Sequence, residues 1–600
     1  MPGWLDHGVI GNGRVLALVA PSSAIEWLCL PRFDSPSVFG RLLDEAKGGA
    51  LVIRPPEGEL EGRSCYVRGT NVLCTEFAHG EHRFRVIDFA PRVPRGLGVY
   101  TPLELVRIIE PIAGAPRLVI DYDPRPDFGR AAVHLSEGAS ALELHAAGIE
   151  LSLFSDLPIS FIANRQPFVL RRPIFLLLSA GSRREAPRAS EVHQLYEDTV
   201  AGWRAWARSC ALPSFAPAAV LRSALCLKLH AYADTGAIVA AATTSIPEAM
   251  GTERTWDYRY CWLRDAAFVV EAFRRISHLA EGEQFVAFLR DVAEAGPLQP
   301  VYGVGGERDL EEVMLPHLAG FHGNGHVRTG NAASSQRQHD LNGELVLCLE
   351  TVLSDPRISP EDATTYLPLV ERLVEQAIEL APLPDTGIWE FRTLLRHHTF
   401  SRAMCWAGIE RGARLARHLG KPELAERWRA IANREREIVL ERGYHPRAGL
   451  FAQVLDGELP DASGLLLPTL GVVDARDPRF LSTLEAYERL LVRHGFLLRY
   501  ANRDDFGETT SAFTLCSFWW AEALALSGQL ERAREVFEHV AAHANPLGLF
   551  SEDIDPATGR LLGNFPQAYT HVGLIHAAIT IGEHLDARDG HVRAWSTVPW

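Results

Sequence analysis

The feature that most constrains this chain is a change of hydrophobic period near residue 185. Before that point, short runs with β-branched residues alternate with Pro and Gly turn signals. The runs lie at residues 25–30, 50–53, 84–89, 105–109, 118–122, 149–154 and 168–178. Short strands without intervening amphipathic helices are typical of an antiparallel sandwich. Residues 1–185 are therefore predicted to form an N-terminal antiparallel β-sandwich.

The rest of the chain has a helical period. Residues 186–215 form a predicted linker helix, because apolar residues such as Val192, Val200 and Trp203 recur near helical spacing. About a dozen further helices are predicted, at 216–232, 262–275, 279–295, 333–353, 360–380, 399–418, 422–438, 461–470, 478–494, 510–528, 530–542 and 568–584. Paired as hairpins, they would make a C-terminal (α/α)₆ barrel over residues 216–600. Helix counting alone also allows an α-solenoid, although no fixed repeat period is present.

Four connections in the helical part are long, at about residues 233–261, 296–332, 381–398 and 543–567. Long loops in a compact domain are usually functional. In a barrel of helical hairpins, such loops would gather at one mouth. These loops hold the polar and aromatic clusters of the chain.

Composition excludes several classes of partner. The formal net charge of −15 argues against nucleic acids and anionic membranes, both of which need a basic surface. No apolar segment approaches the roughly 20 residues that a membrane helix requires. The N-terminus has no charged leader followed by an apolar stretch, and the nine scattered cysteines form no CxxC pair. A reduced, cytoplasmic protein is expected, and homo-oligomerisation is left open.

The first cluster of candidate functional residues spans 255–265, just ahead of a predicted helix. Four aromatic residues alternate there with charges, and sugar rings present apolar CH faces to aromatics and hydroxyls to Arg and Asp. Arg264 and Asp265 would act together most easily at the start of the helix. The alternative is an ion pair that caps the helix beneath buried aromatics.

Two further clusters carry glutamates in long loops. Glu390 lies between Trp389 and Phe391, and partial desolvation there would raise its pKa and suit a general acid. Glu552 lies in the acidic segment 548–555, whose spacing lacks the twelve-residue calcium-loop pattern. The simpler interpretations are that Glu390 is an ordinary exposed loop glutamate and that Glu552 belongs to a solvated acidic turn. The sequence has no P-loop, HExxH or GxSxG motif, which leaves paired carboxylates as the best-supported chemistry.

Several motifs together resemble glycoside hydrolase family fifteen, the glucoamylase and bacterial trehalase family. They lie at residues 10–13, 27–35, 256–266, 387–390 and 563–567, and the match runs from about residue 8 to 585. The opening segment is similar to the N-terminal sandwich of trehalase-like members. The resemblance implies a β-sandwich followed by an (α/α)₆ barrel, inversion at the anomeric carbon, and no metal or organic cofactor.

The resemblance also implies roles for individual residues. Glu390, directly after Trp389, matches the general acid, and Glu552 matches the general base. The expected substrate-binding residues at the −1 subsite are Trp262, Arg264, Asp265 and Trp389. Asn331, Gln336 and Asp340 lie in a segment similar to family members. One departure is Phe391, where fungal glucoamylases carry a second Glu, so no binding role is carried over to it.

The expected partner is a small-molecule α-glucoside, most readily α,α-trehalose. The trehalase-like N-terminal segment, the lack of an export signal and the lack of room for a C-terminal starch-binding domain all favour a small sugar. A glucoamylase-type hydrolase of short malto- or isomalto-oligosaccharides is the alternative. Two other classes stay open: a disaccharide phosphorylase, which uses phosphate in place of the base, and a non-catalytic sugar-binding protein, which needs no paired carboxylates.

Overall fold

The N-terminal part of the computed structural model is a β-sandwich, and the model describes residues 3–96, 98–181 and 185–590. Its strands are β1 Gly8–Gly11, β2 Leu16–Val19, β3 Ile25–Cys29, β4 Ser37–Phe39, β5 Ala50–Arg54, β6 Arg63–Tyr66, β7 Leu73–His79, β8 His82–Phe89, β9 Val93–Arg95, β10 Gly98–Tyr100, β11 Glu104–Ala113, β12 Arg117–Asp123, β13 Leu135–Glu137, β14 Ala141–Ala146, β15 Ile149–Ser155, β16 Phe168–Val169 and β17 Ile174–Ala180. A short helix, α1 Ile159–Ala163, lies between β15 and β16.

Two antiparallel sheets make up the sandwich. One has the order β1-β2-β3-β5-β12-β16, with β4 paired to β3, and the other has the order β13-β14-β15-β17-β11-β8-β7-β6. Arg107 of the second sheet crosses to the first, where it donates to the Leu51 carbonyl at 2.8 Å, and it also pairs with buried Asp88 at 2.7 Å. The buried guanidinium thus has partners in both sheets, as a buried charge requires. The predicted antiparallel sandwich is confirmed.

One predicted strand corresponds to two strands in the structure. The apolar run 168–178 divides into β16, which pairs with β12 in one sheet, and β17, which pairs with β11 and β15 in the other. Pro173 lies in the break, and a proline cannot donate to a sheet ladder. The chain therefore passes from one sheet to the other within what reads as a single run.

The remaining elements are mainly helical. The helices are α2 Ala189–Arg208, α3 Pro217–His230, α4 Leu263–Arg275, α5 Ala280–Glu294, α6 Asp340–Leu353, α7 Pro360–Thr365, α8 Leu367–Leu380, α9 Thr399–His418, α10 Pro422–Arg442, α11 Leu467–Leu470, α12 Pro478–Leu491, α13 Thr514–Leu526, α14 Leu530–Ala541 and α15 Ala568–Arg588. Short strands lie in the connections: β18 Cys261–Trp262, β19 Val301–Tyr302, β20 Val313–Met314, β21 Arg328–Thr329, β22 Tyr444–His445, β23 Leu450–Phe451, β24 Val492–Arg493, β25 Phe496–Leu497, β26 Ala512–Phe513, β27 Asp553–Ile554 and β28 Leu561–Leu562.

Twelve of these helices alternate between an outer and an inner ring. The inner ring closes through contacts of α4 with α6, α6 with α9, α9 with α11, the 3₁₀ turn Ala462–Leu466 before α11 with α13, α13 with α15, and α15 with α4. The outer helices α3, α5, α8, α10, α12 and α14 each precede an inner one and pack outside the ring. This is the predicted (α/α)₆ barrel, so the alternative of an α-solenoid is excluded.

The largest differences from the predicted helices lie at 333–353 and 360–380. The predicted helix 333–353 begins only at Asp340, because Gln336 ends a 3₁₀ turn with extended backbone and directs its side chain towards the Glu390 carbonyl. The predicted helix 360–380 breaks at Tyr366, where Pro368 starts a new helix in its first turn. Within the described ranges, no helix has the length and apolar character needed to cross a membrane.

The loops that enter the inner helices gather at one end of the barrel. Each pair has a long connection before its inner helix and, after that helix, a shorter path to the next pair. The sandwich holds one of these loops, because Trp27 Nε1 donates to the Ala242 carbonyl at 2.7 Å and Arg259 donates to the Ser35 carbonyl at 2.5 Å. The predicted domain bounds 1–185, 186–215 and 216–600 stay a prediction; residues 1–2, 97, 182–184 and 591–600 lie outside the described part.

Candidate active site

A cleft opens at this end of the barrel. It is lined by residues from five loops that enter inner helices: Ala240, Glu248, Arg254, Trp256, Tyr258, Trp262, Asn331, Ala333, Gln336, Ile388, Trp389, Glu390, Phe391, Arg392, Arg499, Tyr500, Asp504, Asp505, Phe506, Phe513, Glu552 and Gln567, with Arg264, Asp265 and Tyr569 from the helices themselves. All six residues predicted to act in the site therefore border one space. The burial of the lining is uneven: Arg264 and Tyr569 are buried, whereas Arg392 is exposed. The cleft thus has a closed inner end and an open mouth.

Glu390 sits in a tight turn with an unusual backbone. Its φ is +60°, in the left-handed region that non-glycine residues rarely adopt, and Gly387 has φ +66° in the same turn. The turn is closed by the Glu390 amide, which donates to the Gly387 carbonyl at 3.1 Å. The Glu390 carbonyl accepts from Gln336 Nε2 at 3.2 Å. Such strain persists where the surroundings over-determine it, and it clusters at functional sites.

Three donors converge on one oxygen of Glu390. Its Oε1 accepts from Trp262 Nε1 at 2.8 Å, Gln338 Nε2 at 3.0 Å and Arg264 Nη2 at 3.1 Å. The side chain is 22% exposed. Among the described residues these donors all reach Oε1, which leaves Oε2 for a substrate oxygen. A carboxyl so held has a fixed orientation, as a proton donor in a site requires.

Arg264 and Asp265 lie at the closed end of the cleft, both 7% exposed. They form an ion pair at 3.4 Å between Arg264 Nε and Asp265 Oδ1 without the geometry of a hydrogen bond. Burial raises the pKa of Asp265 to about 6, against the opposing charge of Arg264. Within the described structure Asp265 Oδ1 has no hydrogen-bond partner, so it is available to a ligand hydroxyl.

Glu552 enters the cleft from the loop before α15. Its Oε1 accepts from the Tyr258 hydroxyl at 2.8 Å, whereas its buried Oε2 has no hydrogen-bond partner among the described residues. Gly563 makes room for this carboxylate: a Cβ at Gly563 would lie 2.8 Å from Glu552 Oε2. An unpartnered buried carboxylate oxygen beside a cleft is suited to bind a water molecule.

Burial and the neighbouring negative charges favour the protonated form of Glu552. Burial, together with the negative charges of Glu248 and Asp553, raises the pKa of Glu552 well above its ordinary value, and Arg499 and Tyr258 oppose this shift. Burial likewise raises the pKa of Asp553 to about 7. Glu552 is therefore not part of a solvated acidic turn; only Asp555, which caps a turn at Thr558, has that character.

Trp262 and Tyr258 connect the two glutamates. Trp262 Nε1 holds Glu390, the Tyr258 hydroxyl holds Glu552, and the two rings pack edge to face with centroids 5.3 Å apart. The two carboxylates therefore approach the same cleft from different loops, with an aromatic pair between them. An arrangement of this kind suits two groups that act on opposite sides of one bound ring.

A cation would find one candidate set of ligands in the described part of the chain. Glu248, Glu552 and Asp553 each offer a carboxylate oxygen, and these oxygens lie within 4.8 Å of one another. Arg499, however, bonds to Glu248, and Arg254 Nη1 lies 3.8 Å from the same carboxylate. Guanidinium groups thus already supply positive charge at this cluster.

The neighbours of Glu390 in sequence turn away from it. Trp389 Nε1 donates to Asp461 at 2.8 Å, and Phe391 stacks on His398 with ring centroids 5.7 Å apart. The environment of the Glu390 carboxyl is thus made by Trp262, Gln338 and Arg264 rather than by Trp389 and Phe391. Trp389 still lines the cleft, and its role in substrate binding stays a prediction.

The contacts of three further residues, Asn331, Gln336 and Asp340, differ. Asn331 and Gln336 line the cleft, where Asn331 caps a 3₁₀ turn and Gln336 holds the Glu390 backbone. Asp340 is fully buried behind Arg264, with its Oδ2 at 3.9 Å from Arg264 Nη1. Asp340 therefore lies at ion-pair distance from the arginine, and neither of its carboxylate oxygens has a hydrogen-bond partner among the described residues.

Sequence reasoning did not identify Glu248, Gln338, Arg499 or Asp504 as site residues. Glu248 lies in a connection already noted as long, and a glutamate followed by an aromatic-rich motif was a usable signal. Arg499 and Asp504 lie in the connection between α12 and α13, which the helical pattern shortened by extending both flanking helices. Gln338 fell inside the predicted helix 333–353, and no local pattern marked it as a site residue.

Comparisons with known proteins cover both halves of the chain. A family model described as glycosyl hydrolases family 15 matches residues 215–579, and a model of the trehalase-like N-terminal region matches residues 5–161. A trehalase of Thermoplasma volcanium is 33% identical, with 98% of this chain and 95% of the relative covered. Trehalases of Mycobacterium tuberculosis and Mycolicibacterium smegmatis are 34% and 35% identical, with 96% of this chain and 89% and 91% of the relatives covered.

Among solved structures, a bacterial glucoamylase in complex with acarbose superposes with a TM-score of 0.73 at 15% identity, over 97% of this chain and 96% of that chain. This likeness supports the fold of both halves. The matches of sequence cover the sandwich and the barrel, and the barrel carries the paired glutamates. The chain belongs to family 15 of the glycosyl hydrolases and is a glycoside hydrolase with a trehalase-like N-terminal domain.

Proposed function

We propose that the protein is an inverting, exo-acting trehalase in which Glu390 is the general acid and Glu552 the general base. The observation that carries the proposal is the pair of glutamates on separate loops of one cleft, one gripped by three donors and one with an unpartnered buried oxygen. In inverting glycosidases the two carboxyl groups are roughly 6.5–9.5 Å apart, which leaves room for a water molecule.

In the proposed mechanism Glu390 protonates the glycosidic oxygen while Glu552 removes a proton from water on the opposite face of the sugar. Trp262, Gln338 and Arg264 orient the acid, and Tyr258 orients the base. The bond to the leaving sugar breaks as the bond to the water oxygen forms. No step requires a metal ion or an organic cofactor.

Exo-action is supported by the shape of the cleft. Its inner end is closed by buried Arg264, Asp265 and Tyr569, which leaves space for a terminal sugar unit, whereas Trp256 and Arg392 border the open mouth. The terminal glucose would lie at the closed end, and the leaving sugar would point outwards. Curated relatives that align over nearly the whole chain and carry the name trehalase favour trehalose over malto- or isomalto-oligosaccharides.

A product analysis tests the reaction. Inverting hydrolysis of α,α-trehalose by attack at one anomeric carbon gives one β-glucose, and the leaving unit is released as α-glucose. Proton NMR before mutarotation should therefore show equal α and β anomers, and ¹⁸O from labelled water should enter the β anomer alone. Two α anomers would contradict inversion.

A panel of disaccharides tests the substrate. We expect kcat/KM for trehalose to exceed that for maltose and isomaltose by about tenfold or more, the ratio that roughly 1.4 kcal/mol of transition-state binding would produce. Comparable kcat/KM values for the three disaccharides would favour a glucoamylase-type enzyme. Formation of glucose 1-phosphate would instead identify a phosphorylase, which the carboxylate cluster around Glu552 disfavours by repelling phosphate.

Substitutions at the closed end test sugar recognition. Arg264→Lys and Asp265→Asn should each lower kcat/KM by about tenfold or more, since a hydrogen bond to a charged group contributes roughly 1.5–3 kcal/mol and one ammonium cannot reproduce the guanidinium contacts. Steady-state kinetics beside a thermal melt would measure this. Arg290→Lys, on the exposed face of α5, is the matched control and should retain full activity. A large fall in melting temperature with near-normal kcat/KM would show that the pair only caps α4.

A further inference from the structure

A buried charge network lies behind Glu552, and the mechanism above does not use it. Glu248, 2% exposed, accepts a hydrogen bond from Trp256 Nε1 at 2.7 Å and pairs with Arg499 through its other oxygen. Arg254 Nη1 lies 3.8 Å from the same oxygen of Glu248, and its Nη2 bonds to Asp504 at 2.5 Å. The network joins the loops before α4 and α13, and both loops border the cleft.

The network is close enough to act on Glu552. One carboxylate oxygen from each of Glu248, Glu552 and Asp553 lies within 4.8 Å of the other two. Arg499 is also near, because it bonds to Glu248, and its positive charge opposes the rise in the pKa of both Glu552 and Asp553. Arg499 therefore has three carboxylates within electrostatic reach, and its hydrogen bond goes to Glu248.

We propose that Glu248 is a positioning residue that holds Arg499 away from Glu552, so that Glu552 keeps a free basic oxygen for the nucleophilic water. The inference rests on the proposed role of Glu552 as the base. A guanidinium bonded to Glu552 would occupy the oxygen that now has no partner and would stabilise the charged carboxylate. Such a carboxylate is a weaker base, so pairing of Arg499 with Glu248 preserves catalysis.

The groups that face Glu552 determine the direction in which Glu248→Gln shifts the pKa of Glu552. Tyr258 and Glu248 approach from the loop before α4 and Arg499 from the loop before α13, and Asp553 is the next residue in the chain. Glu248→Gln removes a negative neighbour and releases Arg499, and both changes lower the pKa of Glu552. The base then stays ionised to lower pH, and the acidic limb of the rate profile moves with it.

The pH dependence of kcat/KM tests the proposal, with α-glucosyl fluoride as the substrate. Its good leaving group needs little protonation, so the acidic limb reports the base. In Glu248→Gln we expect this limb to move to lower pH by about one unit, the size of effect that a neighbouring charge has on a carboxyl. The plateau should fall about tenfold or more, because Arg499 then occupies the water-binding oxygen and weakens the base.

A second change separates positioning from mere structural support. In the double variant Glu248→Gln/Arg499→Gln the guanidinium of Arg499 is gone and Arg254 keeps its bond to Asp504, so the limb should move back towards the wild-type pH and part of the plateau should return. If Glu248→Gln does not fold, Glu248→Asp serves, because its shorter carboxylate draws back from Arg499 and should shift the limb in the same direction by a smaller amount. An acidic limb that stays at the wild-type pH in Glu248→Gln, or in Glu248→Asp where that variant is used, would overturn the proposal.

The matched control is Glu312→Gln at the mouth of the cleft. Glu312 also pairs with two arginines, Arg328 at 2.6 Å and Arg392 at 2.8 Å, but it is not part of the carboxylate group around Glu552. Its substitution should leave the acidic limb in place, and an equal shift there would also overturn the proposal. A wild-type enzyme that hydrolyses no α-glucoside would refute the proposed function instead, so the two failures are distinguishable.

Discussion

Glu390→Gln is expected to lower kcat on trehalose by about 10²- to 10⁴-fold, the usual contribution of general acid catalysis. The amide has nearly the same shape as the acid, and its oxygen can still accept from Trp262, Gln338 and Arg264. It cannot, however, deliver a proton to the glycosidic oxygen. Binding of glucose and the melting temperature should therefore change little.

The loss should depend on the leaving group. α-Glucosyl fluoride needs little protonation at the departing atom, so its hydrolysis by Glu390→Gln should be reduced far less than that of trehalose. Parallel steady-state kinetics on the two substrates measure the difference. Glu379→Gln, an exposed change of the same kind on α8, should have wild-type rates. Equal losses on both substrates would assign Glu390 a role other than proton donation.

Much of the fold follows from the hydrophobic period alone. The switch from strand-like runs to a 3.6-residue period near residue 185 separates the sandwich from the barrel, and α9 begins and ends at the predicted residues. Predictions were wrong where a proline or a polar side chain overrides the pattern. Pro173 divides one apolar run between two sheets, and Pro368 starts a new helix. Closure of the helical pairs into a ring depends on contacts between helices that are distant in sequence. The hydrophobic period gives no information on such contacts.

The site was less predictable than the fold. Glu390 and Glu552 stand in long loops beside aromatic and acidic residues, and the family motifs single them out. Gln338 and Arg499 carry no such signal, because their importance lies in which carboxylate they meet across the barrel. The partners of Glu390 likewise come from distant loops, whereas its neighbours Trp389 and Phe391 face elsewhere.

The barrel explains why distant residues meet. Every inner helix is entered from the same end, so the loops before α4, α6, α9, α13 and α15 converge although they are far apart in sequence. Trp262 and Gln338 reach Glu390 from the loops before α4 and α6. Tyr258 reaches Glu552 across a sequence separation of 294 residues. The ring of inner helices determines where these loops lie, and the loops carry most of the site residues.

Glu552→Ala is expected to abolish hydrolysis of trehalose, with a loss of about 10²- to 10⁴-fold or more, since water is left without a base. Removal of the side chain also opens space beside Tyr258 and Gly563, where the carboxylate now lies. The substitution also removes one negative charge while Arg499 stays nearby, which makes that space more favourable for an anion. A small anionic nucleophile should therefore enter it.

Azide is a small anionic nucleophile, and no proton has to be removed from it before it attacks. With α-glucosyl fluoride as substrate, azide should restore turnover of Glu552→Ala and form β-glucosyl azide, because attack comes from the face that Glu552 borders. Glu552→Gln is the matched control: its amide fills the space, so azide should not rescue it. Product NMR distinguishes the outcomes. α-Glucosyl azide would place the nucleophile on the wrong face, and the absence of rescue in the folded alanine variant would remove Glu552 from the role of base.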